Sequence, residues 1–477
     1  MEIQNNQKPS YQAKWGAMFG IGLGLFMGAL DMSIINISLP TLMEQLDTEF
    51  GTIQWVVIGY NLIITSLILG AARMGDMYEK KKLNNWGLFV FTFSSLLCGF
   101  SPNVGWLIGF RILQGLGAVM MQALGMAIIV ESFPPEERGR ALGIMGGIAS
   151  VGISLGPAIG GIIIGLAGWR WIFLIKVPLG IIALWVSIKF LPVLPSRQVN
   201  QRFDIVGACI LFIGLGGFAL GMTFGQDRGF GNGLVQLLLT ASLAGIILFL
   251  IVQKRIRFPM VELGMFRNIF FSLSLMLGFF TFITLGGVFI IPFYLQLVKH
   301  YTPQQIGLIM MVTPVSVALF STISGTLSDR LGTRGLSILG LFILSAGCYS
   351  ISTLTAESGV AGYLLRMFPL GVGLGIFQSP NNSAIMGAAP SEQLGVASGL
   401  LSLTRSLGQT AGMPIMGAIF VYTLLLSTDI SVMSNLAAAP PHALVKGLTA
   451  TYRISGIFIL IVTLLAIPAF RLYGKRS

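Results

Sequence analysis

The sequence predicts an all-α membrane protein with 14 transmembrane helices. Three observations carry that prediction. Only 10% of the 477 residues are charged, against about 25% in soluble domains. Hydrophobic residues make up 54% of the chain, and the mean hydropathy is +0.84. The apolar residues also fall into repeated runs of about 20, the length of a membrane-crossing helix and about twice that of a barrel strand.

The runs cover 15–39, 52–71, 84–100, 104–129, 141–165, 172–192, 204–224, 234–252, 269–295, 305–326, 335–354, 359–382, 396–422 and 453–472. The first is too long for a cleaved signal peptide and is expected to remain as a helix. An even number of spans puts both termini on one side. With the N-terminus inside, cytoplasmic segments hold 19 of the 29 Lys and Arg residues, including Lys80, Lys81, Lys82, Arg330 and Arg334. Outer loops and their edges hold six, among them Arg170 and Lys176. That excess predicts cytoplasmic termini. It also accounts for the net charge of +12 without nucleic acid. For Lys80, Lys81 and Lys82, ordinary inside-positive charge is the expected role.

Span 1 carries the most telling charge. From Trp15 to Leu30 it has none, and then Asp31 follows in LDMSIINISLP (30–40). An ionised group at such depth costs about 2.5–3.5 kcal/mol on insertion scales, so it is expected to be used or paired. It reads as a carboxyl that binds and releases a proton, or as a permanently ionised partner of an arginine. Arg111, in RILQGLG (111–117) of span 4, is the expected partner. It keeps its proton in a protein. It would hold a carboxylate or anion, tune Asp31, or serve as a structural Arg bonded to carbonyls. Gln114 shares its face, three residues on.

Span 5 contains GISLGPAIGG (152–161). Gly152, Gly156, Gly160 and Gly161 permit close helix contact, and Pro157 permits a bend. Packing is enough to explain this stretch, which reads as a pivot or tight seam.

The chain also repeats itself. ARMGDMYEKKK (72–82) after span 2 is echoed by GTLSDRLGTR (325–334) after span 10. Asp76 and Asp329 differ by 253 positions, and Arg111 and Arg366 by 255. Pro135 and Glu137 find Pro390 and Glu392 at the same offset of 255. A parallel duplication is a known transporter plan. It divides the chain into 1–200 (spans 1–6), 201–262 (spans 7–8, an insert without a counterpart) and 263–477 (spans 9–14). An acid at a helix end beside clustered bases can form a lock that breaks in another conformation. Asp76, Asp329, Arg330 and Arg334 are the gating candidates.

With these residues in view, the chain resembles the major facilitator superfamily, and within it the 14-helix drug:H+ antiporter-2 branch. GTLSDRLGTR fits the loop motif GxLxDRxGxR. RILQGLG fits the span-4 motif, and GISLGPAIGG fits GxxxGPxxGG, the antiporter motif. LDMSIINISLP, WRWIFLIKVPLG (169–180) and FPMVELGMFRNIFF (258–271) are similar to the branch as well. There are departures. Ala72, Met77 and Glu79 replace Gly, Arg and Gly of the first loop motif. Lys176 stands where the branch usually carries Asn, at the outer start of span 6, where a long side chain can snorkel to water.

The resemblance implies proton-driven export of small hydrophobic or amphipathic compounds by alternating access of two six-helix bundles. Asp31 would be the coupling acid and Arg111 its modulator. Asp31 is the one acid deep inside any span, which favours neutral, monocationic or weakly anionic substrates over dications. Candidate lining residues are Asn36, Tyr60, Asn61, Gln114, Gln122, Tyr294, Gln378 and Asn381. Alternatives are a symporter or lipid-type transporter on the same fold, and a receptor or scaffold. The longest extramembrane segment, about 30 residues between spans 13 and 14, has no evident domain for the latter.

No Walker motif, GxSxG or HExxH occurs, so neither ATP nor an enzyme activity is expected. The GxGxG runs at Gly20 and Gly371 lie inside spans and read as helix packing. Cys98, Cys209 and Cys348 lie in apolar runs and are expected to be small buried hydrophobes. His300 and His442 are far apart, so no metal site is predicted. The implied partners are the substrate, protons and the lipid bilayer. No cofactor is implied, because the proton gradient is the energy source. A membrane-fusion or outer-membrane partner is not named by the sequence.

Overall fold

The computed structural model describes residues 11–134, 137–192, 204–256, 259, 263–389, 394–427 and 439–473. The described residues form helices and turns, without strands. The first five spans are α1 (Tyr11–Gln45), α2 (Phe50–Met77), α3 (Lys80–Gly99), α4 (Val104–Ser132) and α5 (Arg138–Ala167). Span 6 is broken into α6 (Trp171–Leu174) and α7 (Lys176–Phe190). The inserted pair is α8 (Ile205–Arg228) and α9 (Gly233–Arg255). Then follow α10 (Ile269–Leu285) with α11 (Ile290–Phe293), and α12 (Pro303–Met310) with α13 (Val312–Leu331). The chain closes with α14 (Thr333–Ile351), α15 (Val360–Ala388), α16 (Leu394–Leu425) and α17 (Pro441–Tyr473).

Thirteen of these stretches are long and apolar enough to cross a membrane. The fourteenth is α3, whose lysines and asparagines lower its hydropathy. It nevertheless packs along its length on α4 and α7. Spans begin where short polar side chains cap free backbone N–H groups. Asn103 accepts from Trp106 N at 3.1 Å, Asp204 from Gly207 N at 2.7 Å, and Asn268 from Phe270 N at 3.0 Å. Thr302 and Gln305 form a reciprocal capping box at α12.

Three details depart from the sequence expectation. The last span starts at Pro441, not near 453, because Ala443, Leu444, Leu448 and Tyr452 form a buried helical face. Lys446 and Arg453 lowered its apparent hydropathy. Span 9 is not one regular helix. After Gly286 it tightens to a 3-10 turn, and after Phe293 it widens to a π turn over Tyr294–Val298. At the tightening, a Cβ on Gly286 would lie 2.4 Å from the Gly412 carbonyl carbon, so two backbones touch there. Finally, Cys98 and Cys348 are buried, but Cys209 lies exposed on α8.

α1 packs on α5 and α7, α2 on α4, and α3 on α4 and α7. In the second half, α14 packs on α15 and α17, α13 on α15, and α10 on α16. Large apolar side chains such as Trp86, Leu166, Ile213 and Leu365 point outward, as a lipid-facing surface requires. α8 and α9 pair through Ser242 Oγ, which donates to Gly214 O at 2.6 Å. α8 then lies against both α2 and α16.

The two halves meet tightly at the face where α1 ends. The Phe50 ring sits 5.6 Å from Phe289, 5.1 Å from Phe293 and 5.5 Å from Phe420. Deeper between the halves, the hydroxyls of Thr65 and Thr410 are 3.1 Å apart.

Candidate functional site

Asp31 lies on the buried stripe of α1, with Met27 before it and Ile34, Ile35 and Ser38 after it. Arg111 lies one turn from Gln114 on the buried face of α4. The structure brings the two charges together, with Arg111 Nη1 2.6 Å from Asp31 Oδ2. Asp31 is 1% exposed and Arg111 0%.

The carboxylate has a second cation. Lys176 Nζ donates to Asp31 Oδ1 and is equally buried. Lys176 therefore does not snorkel outward. Lys176 falls in line with Gly180, Ala183 and Ser187, the stripe that α7 turns inward. Gly180 packs so closely on α3 that a Cβ there would meet Thr92 Oγ1 at 2.0 Å. The lysine thus sits on the inward face of α7, among side chains that pack on α1 and α3.

Neutral groups complete the network. Arg111 Nε donates to Val56 O at 2.9 Å, and Nη1 also donates to Gln114 Oε1 at 2.6 Å. Gln114 Nε2 donates to Ser95 Oγ at 2.6 Å, and Ser95 Oγ to Phe91 O at 2.8 Å. The guanidinium lies 4.2 Å from the centre of the Tyr60 ring, and the Lys176 ammonium 4.7 Å from that of Phe173. Both are within cation–π range. Five helices of the first half, α1, α2, α3, α4 and α7, are thus tied by one polar cluster. Its side chains sum to two positive charges and one negative.

Tyr60 and Gln114, expected to line a substrate path, are instead buried inside this cluster. Tyr294 is also buried, and its hydroxyl donates to Thr355 O at 2.8 Å. Asn61 and Asn381 are buried, and Asn36, Gln122 and Gln378 are half-buried. Asn36 Nδ2 donates to Met32 O of its own helix. Asn381 Nδ2 lies beside Gly278 of α10, 3.5 Å from where a Cβ would stand.

The glycines of span 5 serve two seams. A Cβ on Gly152 would meet Phe26 O and Ala29 Cβ at 3.0 Å, one on Gly156 would meet Ser33 Oγ at 1.8 Å, and one on Gly160 would meet Ile34 at 3.2 Å. Those three press α5 onto α1. Gly161 faces the other half, where a Cβ would lie 2.2 Å from Pro303 O. Reciprocally, a Cβ on Gly307 would lie 2.2 Å from Pro157 O. α5 continues unbroken through Pro157.

Asp76 and Asp329 lie within α2 and α13, but their side chains fall outside the described residues. Arg330 is exposed, and Arg334 lies 4.0 Å from the Phe270 ring centre. The lysines at the first loop have specific partners rather than diffuse charge alone. Lys80 pairs with Glu131 at 3.1 Å, Lys81 donates to Leu191 O at 2.7 Å, and Lys82 pairs with Glu79 at 2.9 Å.

The second half does not repeat the charged cluster. Adding offsets of 253 and 255 to position 31 gives 284 to 286, which are Thr284, Leu285 and Gly286. Arg366 bonds to Thr353 Oγ1 at 2.8 Å and Gly362 O at 3.0 Å, with no carboxylate partner among the described residues.

Comparison with known families gives one match over most of the chain, in that residues 21–413 fit the Major Facilitator Superfamily model. The chain belongs to the major facilitator superfamily. It is a multi-pass transporter of small molecules in the cell membrane, not an enzyme. It is 34% identical to the riboflavin transporter RibZ of Clostridioides difficile (strain 630), over 86% of this chain and 89% of that protein. It is 30% identical to the multidrug resistance protein Stp of Mycobacterium tuberculosis (strain CDC 1551 / Oshkosh), over 84% of this chain and 75% of that protein. Among solved structures it shares its fold with a bacterial homologue of the human lysosomal transporter Spinster, in an inward-facing and unoccupied conformation. The TM-score is 0.66 at 16% identity, covering 98% of both chains.

Proposed function

We propose that this superfamily transporter is a proton-coupled antiporter that exports small amphipathic or hydrophobic compounds by alternating access. The observation that carries this reading is the buried cluster around Asp31. A polar network of this kind in a membrane bundle is expensive, and such groups mark ion and proton pathways. The antiporter motif and the multidrug-resistance relative also favour export over symport.

The test uses everted membrane vesicles or proteoliposomes with an imposed proton gradient. The gradient is expected to drive ethidium accumulation, and Asp31→Asn is expected to abolish it. Ethidium accumulation that ignores the gradient in the wild-type protein would sink the reading. A second reading, transport of a flavin-like metabolite, is favoured by the relative named as a riboflavin transporter. Riboflavin in the same vesicles decides between them.

A further inference from the structure

Asp31 explains why a charge is buried, but its neighbours leave the cluster unbalanced. One carboxylate faces two cations, and all three side chains are at most 1% exposed. An isolated excess charge in a membrane bundle is costly, so burial favours the neutral form of any group that can shed it, with water on the open side as the proton's acceptor. Asp31 cannot remove the excess by taking up a proton. That step would leave two cations facing no anion. Arg111 cannot lose its proton. Lysine can, and buried lysines do so readily.

We propose that Lys176 is the proton-carrying group of this transporter, with Asp31 and Arg111 as a fixed ion pair that holds it in place. The proposal rests on the proton-coupled reading above and names the atom at which coupling occurs. The step is a simple acid dissociation: the N–H bond of the Lys176 ammonium breaks, the electron pair stays on nitrogen, and the proton passes to water on the open side. The cluster alternates between one excess charge and none, while the Asp31–Arg111 pair stays balanced throughout.

The surroundings are consistent with both states. α7 packs on α1, which supplies Asp31, and on α3, which supplies Cys98 and the Phe91 ring. Arg111 reaches it from α4, and Tyr60 of α2 lies under Arg111. α6 supplies the Phe173 ring. In the charged state Lys176 bonds to Asp31. Arg111 Nη2 meanwhile has no acceptor among the described residues, and the Tyr60 hydroxyl has no partner there either. A neutral lysine carries a lone pair. Losing its proton gives Lys176 acceptor capacity, in a cluster where two donors lack an acceptor among the described residues.

The experiment compares wild type with Lys176→Gln and Lys176→Arg in proteoliposomes, using ethidium as the probe. Two transport modes are read: gradient-driven accumulation, and gradient-free exchange from about pH 6 to about pH 9. Both variants are expected to fall to the level of empty liposomes in accumulation and to lose the pH dependence of exchange. Lys176→Arg separates the proposal from a structural role. It keeps the charge and the bond to Asp31 but cannot deprotonate, so a structural lysine would be rescued by it and a proton carrier would not. In detergent, ethidium added to the wild-type protein in weak buffer is expected to release protons, and Lys176→Gln to release none. This readout needs no membrane insertion of the variant. Wild-type-like accumulation by Lys176→Arg, or proton release by Lys176→Gln, overturns the assignment while leaving proton coupling intact. Absence of gradient-driven accumulation in wild type overturns the coupling reading itself.

Discussion

At the scale of single residues, Arg111 anchors more than it balances. It bonds to Asp31, Val56 O and Gln114 at once, so removing it leaves three buried groups short of a donor. Arg111→Leu is expected to lower stability by about 3 kcal/mol, the low end for breaking a buried pair, because Lys176 still faces the carboxylate. A thermal melt of the purified protein in detergent checks this. An unchanged melting temperature would count against the network. Asp31 and Arg111 were legible in the sequence because a charge inside a long apolar run stands out. Lys176 was not, because it lies near the end of a run, where lysines are ordinary. The packing of α7 on α1 and α3 decides that it faces inward. A fainter signal existed, since Gly180, Ala183 and Ser187 repeat at helical spacing from it and mark a face made for close packing.

At the scale of elements, α5 joins two surfaces with adjacent glycines. Gly156 and Gly160 hold it to α1 within its own half, and Gly161 holds it to α12 of the other half. Gly161→Ala therefore pushes the halves apart while leaving the α1 seam intact. The overpacking costs about 1–3 kcal/mol if the helices stay in place, so separation of α5 from α12 is the expected response. Spin labels at Ile162 and Leu308, both exposed, are expected to report longer distances than in the parent protein. An unaltered distance distribution would show that the seam is looser than its geometry implies. The sequence pointed to this stretch as a seam but not to its two faces, because which glycine meets which helix is decided by tertiary packing. The early start of α17 escaped notice for a related reason: Lys446 and Arg453 hide a buried apolar face from a hydropathy window.

At the scale of the whole molecule, the halves touch through Phe50 with Phe289, Phe293 and Phe420, through the α5–α12 seam, and through Thr65 with Thr410. A rocking motion must part some of these contacts. Thr65→Cys with Thr410→Cys, in a chain whose Cys98, Cys209 and Cys348 are replaced by Ala, places two thiols within bridging reach. Oxidation is expected to stop ethidium transport, and reduction to restore it. Undiminished transport after complete cross-linking, verified by a mobility shift on a gel, would mean that α2 and α16 do not separate in the cycle. The span count and the helical class were readable at this scale, because membrane insertion writes them into composition. The closed face was not readable, since contacts between distant phenylalanines leave no periodic trace.

The uneven charge of the cluster has an electrical consequence. If Lys176 is the proton carrier, a single titrating amine limits the exchange to one proton per turnover. A neutral compound traded for that proton moves one net charge inward, worth about 2.3 kcal/mol for each 100 mV of membrane potential. A monovalent cation traded for it moves none. The same protein would therefore draw on voltage for one class of cargo and on the pH difference alone for the other.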